Sequence, residues 1–344
     1  MSNLQAINYQ AWDADAFKEP NTMKEKLRFV ASCGLLAPSV HNTQPWKFDI
    51  SQSQLTVTVQ HQLQLPIADK SGQGLFLSIG CCLFNMEVAA NRLGFQLCYT
   101  IDSNKPVKVV VGLIKKKTKP FFSNDLFETI FKRWSDKGLY LSKPVPTHLL
   151  TEIQSFSKHF RGISTTLVDD KKLKTEVTEL YLEAASRVSL NKKFGTEISH
   201  WVRANTTKKF DGMPGFVNGL PLLLSLVSPY VLKLSQKPLK IQAQADYQKL
   251  KSSPVVGFLS STDQSVASWI ETGRAYELLH LFVTVNGLSC APMAAIVEDD
   301  QTSQKLLALT KKNNRFIPHI FFRLGYSNNQ EVHTPRRPLE YCLS

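Results

Sequence analysis

Two stretches of this chain echo one another in their pattern of apolar and polar positions. Residues 81–93, enclosed by Gly80 and Gly94, and residues 274–286, enclosed by Gly273 and Gly287, both carry apolar side chains at helical spacing. Both glycine pairs stand 14 positions apart, and the second glycine of each sits where a helix stops. A β-branched or aromatic run ending near a glycine follows each, at 107–114 and 318–325. The shared order of helix, stop and strand points to an internal duplication. Around the first echo the pattern predicts a helix at about 23–37, a hairpin over 46–60 and a helix over 74–93. Around the second it predicts helices over 124–134 and 146–158, a strand over 163–168 and helices to about 203. An irregular insert over about 204–245 and a strand over 254–260 complete the second half. The halves meet near Pro120 to Asn124, giving 1–122 and 123–344. Long helices among few strands make the fold class α+β, not a doubly wound parallel sheet.

Composition narrows the class. The chain has 344 residues, 43% of them hydrophobic and 20% charged, with a mean hydropathy of −0.16. These are globular values, which exclude a disordered or low-complexity protein. The longest apolar run, around Leu220 to Leu232, is broken by Pro221, Ser225, Ser228 and Pro229, short of the ~20 residues of a membrane span. The N-terminal stretch has neither a basic nor an apolar signal region, and the expectation is a cytoplasmic protein. A net charge of +13 permits nucleic acid or an acidic membrane as partner without demanding either. No nucleic-acid motif accompanies the lysine groups, so the expected partners include neither nucleic acid nor membrane. Cys33, Cys81, Cys82, Cys98, Cys290 and Cys342 show no paired spacing and read as small buried hydrophobes; no metal site is expected. Glycine-rich signatures for dinucleotides or a P-loop are missing.

The chemistry-bearing residues lie in turns. Pro38 and Pro45 bracket a polar turn that cannot be helix interior, and Ser39, Asn42 and Gln44 offer hydroxyl and amide groups within it. Taken blandly, this is a helix-to-strand connection anchored by Trp46. The string Ala37-Pro38-Ser39, Asn42, Gln44-Pro45-Trp46, Phe48 nevertheless resembles the motif of the nitroreductase family. Arg133, Ser135 and Lys137 resemble that family's Arg-x-Ser-x-Lys turn, and Arg336-Arg337-Pro338 resembles its closing basic pair. The order is inverted relative to an ordinary member, in which the Arg-x-Ser turn comes first. With Asp69 to Gln73 and Asp211 to Pro214, this is most similar to the fused, twin-domain Acg-type FMN-binding proteins.

The resemblance implies two nitroreductase-like halves fused as an intramolecular pseudo-dimer, with a lid-like insert in the second. It implies one FMN per chain at their interface. Arg133, Ser135, Arg336 and Arg337 would hold the phosphate side and Lys137 the pyrimidine side. Pro38, Ser39 and Val40, with Asn42 and Gln44, would contact the ring or ribityl from the first half. Pro292, Met293 and Ala294 would lie in a loop along the ring, contributing backbone groups. No side chain is expected to be catalytic, since the flavin carries the chemistry, and His41 and His280 read as packing residues. The implied activity is NAD(P)H-dependent hydride transfer to a nitroaromatic or quinone-type acceptor, in a monomer or weak homodimer. Storage of FMN under a lid, without turnover, is the alternative.

Overall fold

The computed structural model describes residues 6–14, 19–115, 120, 122–123, 125–310 and 315–344. Most of the lysine run at the expected boundary, and Lys311-Lys312, lie outside them. The first half runs α1 (Met23–Gly34), β1 (Trp46–Ile50), β2 (Leu55–Val59), α2 (Gln73–Arg92), β3 (Phe95–Asp102) and β4 (Lys108–Lys115). Thr22 and Glu25 form a reciprocal cap that starts α1. The second half opens with α3 (Leu126–Lys132), α4 (Thr147–Ser155) and β5 (Ile163–Val168). Next come α5 (Lys171–Ser189), α6 (Lys192–Ser199), the short pair β6 (Val202–Arg203) and β7 (Met213–Pro214), α7 (Leu222–Leu234) and α8 (Lys237–Ser252). It closes with β8 (Val255–Ser261), α9 (Val266–Val285), β9 (Ser289–Pro292), α10 (Ala295–Glu298), α11 (Asp300–Leu309), β10 (Ile317–Gly325) and α12 (Leu339–Cys342).

The two large sheets share one topology. Their strand orders are β1-β2-β4-β3 and β5-β8-β10-β9, antiparallel throughout, with α2 and α9 each placed between the second and third strands in chain order. Everything from α5 to α8 occupies the connection between β5 and β8. In the first half the matching connection, β1 to β2, is a tight turn closed by Ser51 and Gln54. The insert is thus wider than 204–245 and largely helical, not irregular. Pro221 caps α7 and Pro238 lies in the first turn of α8, places that helices tolerate, while Pro229 falls inside α7 and Pro214 in β7. By strand order the counterpart of the 37–45 turn is the stretch 156–162 before β5.

The echo helices cross at their glycines. A Cβ on Gly80 would stand 2.1 Å from the Ile270 carbonyl oxygen, and one on Gly273 would stand 2.1 Å from that of Leu77. Only glycine allows such close backbone approach. At the far ends, Gly94 and Gly287 adopt φ of 79° and 68° and close their helices. One apolar core spans both halves, with Leu27, Trp46, Ile79 and Phe84 packed together with Ile270, Leu279 and Phe322. A second cluster, including Val177, Leu180, Phe258 and Phe321, lies under the insert. Chain ends reach across: Ser344 N–H donates to the Phe48 carbonyl (2.8 Å) and Arg336 N–H to that of Asn8 (2.9 Å). α2 is long and apolar enough to cross a membrane, yet it is buried along most of its length inside the protein.

Candidate functional site

The turn after α1 is held in an unfavourable conformation. Three residues that are not glycine, His41, Asn42 and Gln44, have φ of 50°, 57° and 53°. Each costs on the order of 1 kcal/mol and persists only where surroundings enforce it. Ser39 Oγ accepts from Gln44 N–H at 2.9 Å. The Asn42 amide donates to the carbonyls of Gly212 (3.0 Å) and Pro335 (2.9 Å). Gln44 donates to Phe210 O (2.7 Å) and accepts from Arg337 N–H (2.9 Å).

Arginines from the other half supply most remaining support. Arg133 Nη2 donates to Leu36 O at 2.9 Å. Arg336 donates to Asn42 Oδ1 (2.6 Å) and to the carbonyls of Leu36 and Ala37 (3.3 Å each). Its guanidinium lies over Trp12, 4.7 Å from the ring centre. Arg337 donates to the carbonyls of Thr43 (3.0 Å) and Gln44 (2.9 Å) and to Asp211 (2.8 Å). Motifs separated by up to about three hundred positions therefore meet. Arg133 and Arg336 are 2% and 3% exposed. Inward-facing carbonyls of a strained turn need strong donors, and these are the guanidiniums in reach.

Glu277 was missed. This fully buried carboxylate on α9 lies 3.2 Å from Arg133 Nε. Asn85, with its amide turned to suit, donates to Glu277 (3.0 Å) and accepts from Ala37 N–H (3.2 Å). Burial pushes the Glu277 carboxyl up to about 7, against the pull of Arg133 and Arg336. A signal existed, since Glu277 occupies the position of Phe84 when the echo glycines are superposed. An acid amid apolar positions marks a buried partner.

Other expected site residues are less enclosed. Ser39, Val40, Ser135 and Lys137 are half-buried, while Pro292 and Ala294 are exposed. Lys137 Nζ lies 3.8 Å from the Met213 sulfur and forms no ion pair among the described residues. Burial, then the charge of Lys249, push its amine down to about 8. His41 is pushed down to about 4 by burial and Lys137, and burial holds His280 well below the usual histidine range. His280 donates through Nε2 to the Trp134 carbonyl at 3.0 Å. Residues 289–292 form strand β9 rather than a loop, and Met293 N–H is engaged by Phe321 O at 2.8 Å. That backbone donor is taken by the sheet. The insert meets the turn: Gly212 N–H donates to Asn42 O (3.3 Å), and Asp211 bridges Arg203 (2.7 Å) and Arg337 (2.8 Å). Those two arginines outweigh burial and hold the Asp211 carboxyl below its usual range.

The structure thus brings together a strained polar turn, the arginines that support it and Lys137, which forms no ion pair among the described residues. No protein-family model matches the chain. It is 23% identical over 330 residues to two Mycobacterium tuberculosis proteins, named "Putative NAD(P)H nitroreductase Rv3131" in strain H37Rv and "Putative NAD(P)H nitroreductase MT3217" in strain CDC 1551. The match covers 93% of this chain and 91% of each relative. Among solved structures, the FMN-dependent nitroreductase NfnB from Mycobacterium smegmatis in complex with NADPH aligns with a TM-score of 0.43 and 13% identity, over 63% of this chain and 96% of that one. A nitroreductase with bound FMN from Desulfitobacterium hafniense aligns with a TM-score of 0.43 and 11% identity, over 62% and 95%. The nitroreductase resemblance carried by the motifs thus extends, through the two mycobacterial relatives, along nearly the whole chain.

Proposed function

We propose that this chain is an FMN-dependent NAD(P)H oxidoreductase of nitroreductase type, two fused halves enclosing one flavin site. The observation that carries the reading is the meeting of the 37–45 turn with Arg133, Arg336 and Arg337. Positive charge at both ends supports the reading. Arg133 and Arg336 share a single carboxylate, Glu277, and burial with the neighbouring Arg133 lowers the Arg336 pKa well below its ordinary value. That interior surplus of positive charge is what a phosphate would offset. At the other end Lys137 offers a half-buried amine that forms no ion pair among the described residues, with Asp246 the carboxylate acting on it from farther off.

FMN, when bound, supplies the centre that accepts hydride from NAD(P)H and passes it to a nitroaromatic or quinone-type acceptor. This chain's residues bind and orient. Lys137 would offer a cation toward the pyrimidine side of a bound flavin. Val40, Pro292 and Ala294 offer apolar surface to the ring, and the arginines fix the turn that presents Ser39. His41 and His280 stay neutral near pH 7 and carry no charge into the site. Visible absorbance tests the reading: FMN should bind, bleach on addition of NADPH and recover with a nitroaromatic or quinone. Protein that remains flavin-free after incubation with FMN would sink it.

One observation favours a second reading, sequestration of FMN without turnover. The segment Asp211 to Met213 is pinned to the turn by Asn42 and Arg337, as a closed cover would be. Rapid bleaching of bound FMN by NADPH would rule sequestration out.

A further inference from the structure

Helix α7 faces outward in an unusual way. Of its thirteen residues only Ser225 is buried. Leu223, Tyr230 and Leu234 are 76%, 71% and 85% exposed, and with Val227 they form a stripe at helical spacing. Ile241 on the neighbouring α8 is 69% exposed. Soluble surfaces rarely leave so continuous an apolar patch uncovered.

The charge around the patch has one sign. Lys233, Lys237 and Lys240 are exposed beside it, as are Lys192 and Lys193 at the start of α6. α6 packs against α7 so closely that a Cβ on Gly195 would stand 2.8 Å from the Leu232 carbonyl. The two acids of this stretch are turned inward. Glu197 accepts from the N–H groups of Ile67 and Ala68 (2.8 Å each), and Asp211 is held by two arginines. A second copy would bring the same lysines and the same net charge of +13 to the contact, which opposes self-association. An anionic surface matches both features.

We propose that α7 with the start of α8 is a docking surface for an anionic lipid membrane. The stripe of Leu223, Val227, Tyr230 and Leu234 enters the headgroup–acyl boundary, with Tyr230 at the level tyrosines favour, and the lysines meet the headgroups. This is docking, not spanning, and it departs from the expectation of no membrane partner. α7 is also tied to the cover: Asn205 N–H donates to Ser225 Oγ (3.0 Å) and the Asn205 amide to Leu220 O (2.9 Å).

Co-sedimentation of the full chain with vesicles tests the proposal. Binding should be clear with phosphatidylcholine–phosphatidylglycerol vesicles at low salt, weak with phosphatidylcholine alone, and reduced by added salt. The pair Leu223→Ser with Leu234→Ser, and separately Lys233→Glu with Lys237→Glu, should each weaken partitioning at least about tenfold. All four positions are exposed, so melting temperatures should stay at the parent value, which keeps the comparison on the surface. Absence of binding to anionic vesicles, or binding indifferent to both pairs, would overturn the proposal. So would a concentration-dependent dimer in sedimentation that Leu223→Ser with Leu234→Ser abolishes, which would assign the face to a second copy.

Discussion

Glu277 concentrates the electrostatics of the interior, a lone carboxylate facing two buried guanidiniums. Replacing it with leucine should cost about 3–5 kcal/mol above pH 7, where the carboxyl is ionised, because Arg133 and Arg336 would be left uncompensated out of water. Urea denaturation reads this directly, and an unchanged midpoint would mean that the arginines need no counter-charge. Lys137 gives a pH-dependent expectation. Its amine, pushed down to about 8 from 10.5, is charged below pH 8 and neutral above. FMN affinity should therefore be flat below about pH 8 and weaken above it. Lys137→Met should bind more weakly and without that inflection, a result that a fluorescence titration across pH would reveal. The folded state releases the Lys137 proton earlier than the unfolded chain, so this group makes the flavin-free protein more stable as pH rises from 8 towards 10.5.

Among the elements, the α2–α9 crossing joins the halves. Gly80→Ala or Gly273→Ala places a methyl against backbone, not against a side chain that could yield, and should destabilise by about 3 kcal/mol. Gly94→Ala and Gly287→Ala meet open space and suffer only from their positive φ, about 1 kcal/mol. A denaturation series that ranked the stop glycines above the crossing glycines would refute close packing as the reason for Gly80 and Gly273. Sequence located these helices, the 46–60 hairpin and the 163–168 strand well, because apolar periodicity is local. It read 204–245 as irregular because prolines suggest breaks, and only the structure put Pro221 and Pro238 at helix starts and Pro229 within α7. The resemblance put Pro292, Met293 and Ala294 in a loop, whereas Pro292 ends strand β9, too short a strand to announce itself by alternation.

At the scale of the whole molecule, stoichiometry follows from how the halves differ. The 37–45 turn occurs once, and so do the arginines that support it. Titration of the folded chain with FMN should saturate at one equivalent. Two equivalents would mean that the stretch 156–162, which holds the turn's place before β5, builds a site of its own.

The sequence by itself determined the repeated helices and their stops, the α+β class and the identities of the turn and its arginines. These are written in local spacing and in residue types that few other patterns share. The tertiary structure decided that Arg133 and Arg336 are interior supports, that Glu277 is their counter-charge, and that α7 presents leucines to solvent. Each depends on which carbonyl, carboxylate or empty space lies opposite a residue. Chain segments up to about three hundred positions away set that environment, and no periodicity encodes it.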